Sequence, residues 1–282
     1  GAVNRDGAFP DWIELRNLGG SPTDLAGWSL SDDGYPLKFV FPPETLLPAN
    51  GYLLVWCDAP TNAVPGSLHT GFGLNRDGES IFLYDASGAR VDAITFGLQL
   101  PNYSVGRIGN TWELNTPTPD QANAAAALAA PSQCVINEWL ANPPPGADDW
   151  IELFNRDFSL PVALRGLWLA TTSALFQVRS LSFVAPGGFA VLQADENPGV
   201  AHVGFKLPKE GGSLTLYNEA ATLLDQVSYA AQASGVARGR WPNGGAGAAD
   251  FPNGGSPGAT NYLATYTGPV LNELMARNVA VV

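Results

Sequence analysis

Apolar residues in this chain come in short runs of about four to seven, separated by turns rich in glycine, asparagine and aspartate. Clear examples are residues 52–56, 81–84, 189–192 and 214–217, which are rich in aromatic and branched side chains. Such runs are typical of strands in antiparallel β-sandwiches and barrels, and no stretch has a convincing helical period. The pattern therefore predicts an all-β protein.

The same order of segments occurs twice. The stretch DWIEL at residues 11–15 recurs at residues 149–153, and the agreement continues through later apolar runs and several polar positions. Side chains alternate between the two faces of a strand, so this spacing makes Glu14 and Glu152 strand positions rather than catalytic acids. Two copies of one domain are expected. Further matching pairs are Val91-Asp92 with Leu224-Asp225, Gly106-Arg107 with Gly239-Arg240, and Pro119 to Asn123 with Pro257 to Asn261.

The repeat predicts a first sandwich over residues 1–123, a linker over 124–133, a second sandwich over 134–262 and a tail over 263–282. An opening strand, containing Val-Ile-Asn-Glu, precedes the second DWIEL, and the first DWIEL has no such segment ahead of it. We therefore expect a first sandwich without its first strand. A spare copy of that strand comes near the end of the sequence, at Val270, Leu271, Asn272, Glu273, Leu274, Met275 and Ala276.

This order of motifs resembles the bacterial lamin-tail domain. The resemblance rests on DWIEL followed by asparagine, Asp-Leu-x-Gly-Trp-x-Leu at 24–30, Gly-Tyr-Leu-Leu-Val at 51–55 and Thr-Pro-Thr-Pro-x-x-x-Asn at 116–123. In the second copy the tryptophan is shifted by one place, to Trp168, so its turns are expected to differ. The resemblance implies two tandem immunoglobulin-like antiparallel β-sandwiches, a fold found as a non-catalytic module in lamins and in secreted or surface-attached bacterial proteins.

Composition narrows the function classes. The net charge is −12 and the sequence contains no basic patch, which argues against a nucleic-acid partner because such binding depends on clustered Lys and Arg. No apolar run approaches the length of a membrane-spanning helix. We therefore expect neither nucleic acid nor membrane insertion.

The sequence contains one candidate metal site. Asn137, Glu138, Asp149 and Glu152 could bring oxygen ligands together between the first two strands of the second copy, but calcium normally takes six to eight oxygens. They form a weak calcium candidate, and no other cofactor is expected.

Three features with reactive side chains give no support for catalysis. Cys57 and Cys134 are compatible either with one disulfide or with two buried free thiols, and the sequence leaves both open. Residues 254–258 match the Gly-x-Ser-x-Gly nucleophile pattern, but Pro257 lacks the N–H that an oxyanion hole would need. His69 and His202 occupy matching loop positions without a second metal ligand nearby. No catalytic residue is predicted.

The spare strand at residues 270–276 is the strongest candidate site. It could dock on the first sandwich of another copy by β-strand addition, and such head-to-tail contacts propagate into a fibre. Closure within one molecule and excision from a longer tandem array are alternatives. The expected function is therefore a non-catalytic extracellular structural protein whose partners are other copies of itself. The alternative is an accessory carbohydrate- or calcium-dependent binding module of a larger secreted enzyme, which a solvent-facing row drawn from Trp12, Trp28, Trp112 or Trp139 would favour.

Overall fold

The computed structural model describes residues 9–60, 66–252 and 254–263. Within them the chain is all-β, with one 3₁₀ turn at Pro131–Gln133, and it forms two immunoglobulin-like sandwiches in tandem. The all-β prediction is confirmed, and so is the prediction of two immunoglobulin-like copies. The runs of aromatic and branched residues form the strands because such side chains suit a half-buried pleated surface.

Domain 1 contains eleven strands among the described residues. A four-stranded sheet has the order β4-β3-β7-β8, and the opposite layer consists of the pair β1-β6 and the separate sheet β11-β10-β9, with a small pair β2-β5 at the side. The strands are β1 (Asp11–Arg16), β2 (Thr23–Asp24), β3 (Ser29–Ser31), β4 (Phe39–Val40), β5 (Leu46–Leu47), β6 (Tyr52–Cys57), β7 (Glu79–Tyr84), β8 (Arg90–Phe96), β9 (Ser104–Ile108), β10 (Thr111–Thr116) and β11 (Ala124–Ala125).

Domain 2 repeats this plan with one addition. Its second layer is a continuous six-stranded sheet of order β19-β18-β13-β12-β22-β23, which faces the sheet β16-β15-β20-β21. The strands are β12 (Cys134–Leu140), β13 (Asp149–Asn155), β14 (Val162–Ala163), β15 (Trp168–Ala170), β16 (Leu175–Gln177), β17 (Phe183–Val184), β18 (Phe189–Ala194), β19 (His202–Val203), β20 (Gly211–Tyr217), β21 (Leu223–Ala230), β22 (Ala237–Arg240) and β23 (Ala248–Phe251).

The two DWIEL segments are β1 and the first part of β13. Ile13 and Leu15 pack against the core of domain 1, and their counterparts Ile151 and Leu153 are fully buried in the core of domain 2. Among the described residues β1 pairs only with β6, whereas β13 pairs with β18 on one edge and with β12 on the other. The same five residues therefore form an edge strand in one domain and a central strand in the other.

The linker and the second domain both contribute to domain 1. The first residues of the predicted linker form β11, which pairs with β10. Leu181 and Phe183, from the chain around β17, are buried in the core cluster of domain 1, and the Gly97 N–H donates to the Leu181 carbonyl. A Cβ on Gly97 would lie 2.0 Å from the Ser182 hydroxyl oxygen, so a larger residue here would displace this serine side chain of domain 2. The two sandwiches share packed side chains.

Candidate functional site

Three polar side chains at the β12-β13 pairing are buried in domain 2. Asn137 and Glu138 on β12 and Glu152 on β13 all have 0% exposure. A bulge between Ile136 and Glu138 places two β12 residues opposite one β13 residue, and the Asn137 amide donates to a Glu152 carboxylate oxygen at 2.8 Å. The bulge thereby lets two consecutive polar residues join one cluster.

Residues 254–261 close over this cluster with backbone donors. The Ser256 N–H donates to the Glu138 carboxylate at 3.2 Å, and the Gly258 N–H donates to Glu152 at 2.6 Å. Burial raises the pKa of Glu138 and that of Glu152 to about 7, because a charged carboxylate loses its hydration there. The neighbouring Glu138 charge raises the pKa of Glu152 further. These are the two most strongly shifted carboxylates of the described residues.

An ion pair holds the backbone of β12 from the other side. Arg240 and Asp225 lie 2.6 Å apart with side chains only 13% and 12% exposed. The Ile136 N–H donates to Asp225 at 2.8 Å, and the Arg240 Nε–H donates to the Ile136 carbonyl at 2.8 Å. β12 is therefore bound by side chains from β21 and β22 in addition to its ladder hydrogen bonds.

Domain 1 contains the equivalent binding groups, and no strand of the described ranges lies between them. The Asp120 N–H donates to Glu14 at 2.7 Å, as Gly258 does to Glu152. The Asn123 amide donates to the Arg107 carbonyl at 3.0 Å, as Asn261 does to Arg240. Asp120 has a positive φ of 60°, like Gly258 at 80°, so this turn is the same in both copies.

We call the open edge of β1, with the groups that surround it, the acceptor slot. By correspondence with the residues around β12 in domain 2 we assign to it Glu14, Asp92, Arg107, Thr118 and Asn123, together with Asn115. Arg107 and Asp92 are 2.9 Å apart but 44% and 49% exposed. None of the residues of β1 is buried, whereas every residue of β13 is. The buried Asn115 side-chain oxygen has no hydrogen-bond partner within the described part of the chain. The slot is the place that β12 occupies in domain 2.

The structure separates the four residues of the calcium hypothesis. Asn137, Glu138 and Glu152 come together, but Asp149 points to the other face of β13, where its carboxylate accepts the Leu207 N–H at 2.8 Å. Asn137 turns its amide nitrogen toward Glu152, and a nitrogen donor is no ligand for calcium. No cluster of three His, Cys, Asp or Glu side chains that could hold a metal occurs in the described ranges.

The other predicted site residues lie apart. Cys57 ends β6 in domain 1 and Cys134 begins β12 in domain 2, and both are buried free thiols, so the disulfide alternative does not describe this structure. Burial raises the pKa of each thiol to about 12. Residues 270–276 lie outside the described residues. Ser256, the serine of the Gly-x-Ser-x-Gly match, donates its backbone N–H to the Glu138 carboxylate.

The two histidines each pair with an aspartate that the sequence reasoning missed. His69 Nδ1 lies 2.5 Å from Asp58 and His202 Nδ1 lies 3.0 Å from Asp195. The sequence does contain a signal for these pairs, because each aspartate directly follows the same repeated strand, β6 in domain 1 and β18 in domain 2. In both domains the pair ties the histidine segment to the end of that strand.

In domain 1 the pair extends to a serine. Ser67 Oγ lies 2.9 Å from His69 Nε2, which completes a Ser-His-Asp sequence of contacts. The nearby N–H groups of Thr70 and Gly71 already donate to backbone carbonyls, so neither is free to stabilise an oxyanion. Domain 2 keeps the His-Asp pair with Val200 in the place of the serine. A structural role accounts for both copies.

Comparison with known proteins supports the fold. The family model described as the lamin tail domain matches residues 1–97 and 127–231. The chain belongs to the lamin tail domain family. No curated protein and no solved structure matches the chain. The two matched ranges of the lamin tail domain end at the close of β8 and of β21, so the closing segments with Asn123, Ser256 and Asn261 lie beyond them.

Lamin tail domains are generally non-catalytic, immunoglobulin-like interaction modules, and this protein carries two of them. Within the described ranges, none of its helical segments has the length and apolar character needed to span a bilayer. The site that distinguishes the two copies is the acceptor slot.

Proposed function

We propose that this protein is an extracellular structural subunit that assembles head to tail, with residues 270–276 of one molecule completing domain 1 of the next. The observation that carries the proposal is the pairing of the two DWIEL strands. β13 is flanked by β18 and β12, whereas β1 is flanked by β6 alone among the described residues. The donor segment has the β12 sequence pattern, Val-Leu-Asn-Glu against Val-Ile-Asn-Glu.

An open edge of this kind favours strand addition. Its unpaired backbone groups form a template for another strand, and such addition combines main-chain hydrogen bonds with side-chain pockets. In the slot, β1 is incompletely buried, and the buried Asn115 side-chain oxygen has no partner among the described residues. A docked strand would bury β1 and could provide a hydrogen-bond donor for the Asn115 side-chain oxygen.

The geometry of such a contact determines the kind of assembly. The donor and acceptor surfaces are different, so the contact is heterologous and repeats from molecule to molecule. A filament follows unless the tail reaches its own domain 1 and closes the molecule. The extracellular placement rests on the resemblance to secreted and surface-attached bacterial lamin tail proteins.

The carbohydrate-binding alternative has weaker support. Trp139 is only 1% exposed, and the Arg107 guanidinium lies over the ring of Trp112 at 4.7 Å. Trp28 packs against the core of domain 1. These tryptophans do not form the flat exposed row on which a sugar would stack.

Removal of residues 269–282 tests the assembly. We expect the full chain to form filaments in negative-stain electron micrographs and fast-sedimenting species, and the shortened chain to sediment as a monomer. Filaments formed equally by both would overturn the proposal. Monomers of the full chain that are more heat-stable than the shortened chain would show that the tail closes on its own molecule instead.

A further inference from the structure

The acceptor slot is more than an open edge, because its polar groups match those that hold β12 in domain 2. The inference drawn from this match rests on the proposed head-to-tail assembly and specifies which strand domain 1 binds. We propose that domain 1 recognises its donor strand by the pair Asn272-Glu273, which docks against Glu14 while Asp92 and Arg107 hold the backbone of Leu271.

The backbone clamp is the first part of this recognition. In domain 2 the Asp225–Arg240 pair accepts from the Ile136 N–H and donates to the Ile136 carbonyl, both at 2.8 Å. The equivalent Asp92–Arg107 pair is already formed at 2.9 Å and exposed. In the repeat Leu271 corresponds to Ile136, so its N–H and carbonyl are the groups that this pair would bind.

The glutamate cluster is the second part. Asn137 donates to Glu152 and the Ser256 N–H donates to Glu138 in domain 2. The corresponding groups would be Asn272 with Glu14, and Glu273 with Thr118. Pro117 replaces Gly255, which has a φ of 76°, so the backbone enters this segment differently. The donors that matter belong to the residues after Pro117, and the Asp120 N–H is already bound to Glu14.

This pair determines the register of the donor. A shift by one residue reverses the faces of a strand and would turn Glu273 away from Thr118. An apolar donor strand would leave Glu14 buried without the amide that Asn272 supplies, and an unpaired buried polar group is costly. The partner that fits is therefore a strand with Asn-Glu after two apolar residues.

Attachment should also depend on pH, which a purely apolar contact would not. Docking buries Glu14 as Glu152 is buried in domain 2, and Glu273 as Glu138 is buried there. In domain 2 burial raises the pKa of Glu138 and that of Glu152 to about 7. Docking then favours protonation, so attachment is strongest in acid and weakens as the pH rises through about 7. Besides Glu14, the charged groups on the surrounding elements are Asp11 and Arg16 on β1, Arg90 and Asp92 on β8, Arg107 on β9, Glu113 on β10 and the nearby Asp120.

The test uses the full chain and measures its critical concentration for assembly by sedimentation at pH 5.5 and pH 8.5. We expect a value about tenfold or more lower at pH 5.5, because carboxyl groups whose pKa docking raises to about 7, as in domain 2, are protonated at pH 5.5 and ionised at pH 8.5. The double variant Glu14→Gln/Glu273→Gln should reduce this ratio to less than about threefold, since it removes both titrations. The isosteric Asn272→Asp, which places a carboxylate against Glu14, should raise the critical concentration about tenfold or more at pH 8.5.

A control makes the Glu→Gln change elsewhere. Glu44→Gln alters an exposed carboxylate outside the slot and should leave the critical concentration nearly unchanged. Assembly that is independent of pH and insensitive to Asn272→Asp would overturn the recognition by Asn-Glu while leaving strand addition intact. A chain that assembles at neither pH would instead overturn the proposed function itself.

Discussion

One glutamate position has two environments in this molecule. Glu152 is completely buried and bound by Asn137 and the Gly258 N–H, whereas Glu14 is half-buried and bound by the Asp120 N–H alone among its described contacts. Burial raises the pKa of both, to about 7 for Glu152. The difference arises from β12, which covers Glu152 and has no counterpart over Glu14 in the described structure.

The stability of domain 2 should fall between pH 5 and pH 8.5. Folding raises the pKa of Glu138 and Glu152 above their unfolded values, so the stabilisation from proton uptake is complete below about pH 4 and is lost as the pH passes about 7. We expect a loss on the order of 2 kcal/mol in the free energy of unfolding, measured by urea denaturation at several pH values.

Glu152→Gln should reduce this pH dependence by about half, because it removes one of the two titrating groups. The matched control is Glu210→Gln, which makes the same change at an exposed residue and should leave the pH dependence unchanged. A stability that stays constant or rises from pH 5 to pH 8.5 would contradict the raised pKa values. Asp195, with a pKa lowered to about 2 by His202, titrates outside this range.

At the scale of the strands, the second layer of a sandwich is one continuous sheet where β12 is present. β12 joins β13 to β22 in domain 2. In domain 1, where the described part of the chain has no such strand, the corresponding β1 and β9 belong to different sheets. The DWIEL pattern predicted a strand in both places. It did not predict the polar groups around the slot. Glu14, Asp92, Arg107 and Asn123 are far apart in the chain, and in the repeat they match domain 2 only as separate positions that nothing in the sequence links.

Hydrogen exchange should show this difference between the two DWIEL strands. In the chain shortened by residues 269–282, we expect the amides of β1 to exchange about tenfold or more faster than those of β13, because an edge strand opens with less disruption. Mass spectrometry of the two peptides measures it. β7 and β20, which are interior strands in both domains, should exchange at similar rates. Equal protection of β1 and β13 would mean that another part of the chain fills the slot.

At the scale of the whole molecule, each sandwich contributes side chains to the core of the other. Leu181 and Phe183 come from domain 2 and are buried among residues of domain 1, and Leu98 of domain 1 packs against the core of domain 2. The parallel bridge between Phe96 and Leu181 adds backbone pairing. This joint orients the two domains, and any filament would inherit that orientation from subunit to subunit.

Leu181→Ala should destabilise domain 1 although the residue belongs to domain 2. Leu181 is 5% exposed, and removing such a side chain leaves a cavity that costs about 2 to 4 kcal/mol. Urea denaturation followed by tryptophan fluorescence measures the loss. Leu175→Ala is the matched control, because Leu175 is 63% exposed and its loss should cost less than about 0.5 kcal/mol. Equal effects of the two substitutions would show that the joint does not stabilise domain 1.

The sequence by itself determined the fold class, the duplication and the lamin tail resemblance, because alternation and turn residues are local and a repeat preserves their order. Only the tertiary structure decided which polar residues meet. Asp225, Arg240 and Ile136 come together through three different strands, while Asp149 leaves the glutamate cluster because the pleat turns it to the other face. The environment of a side chain depends on which strands lie beside it, and that pairing is set by the fold.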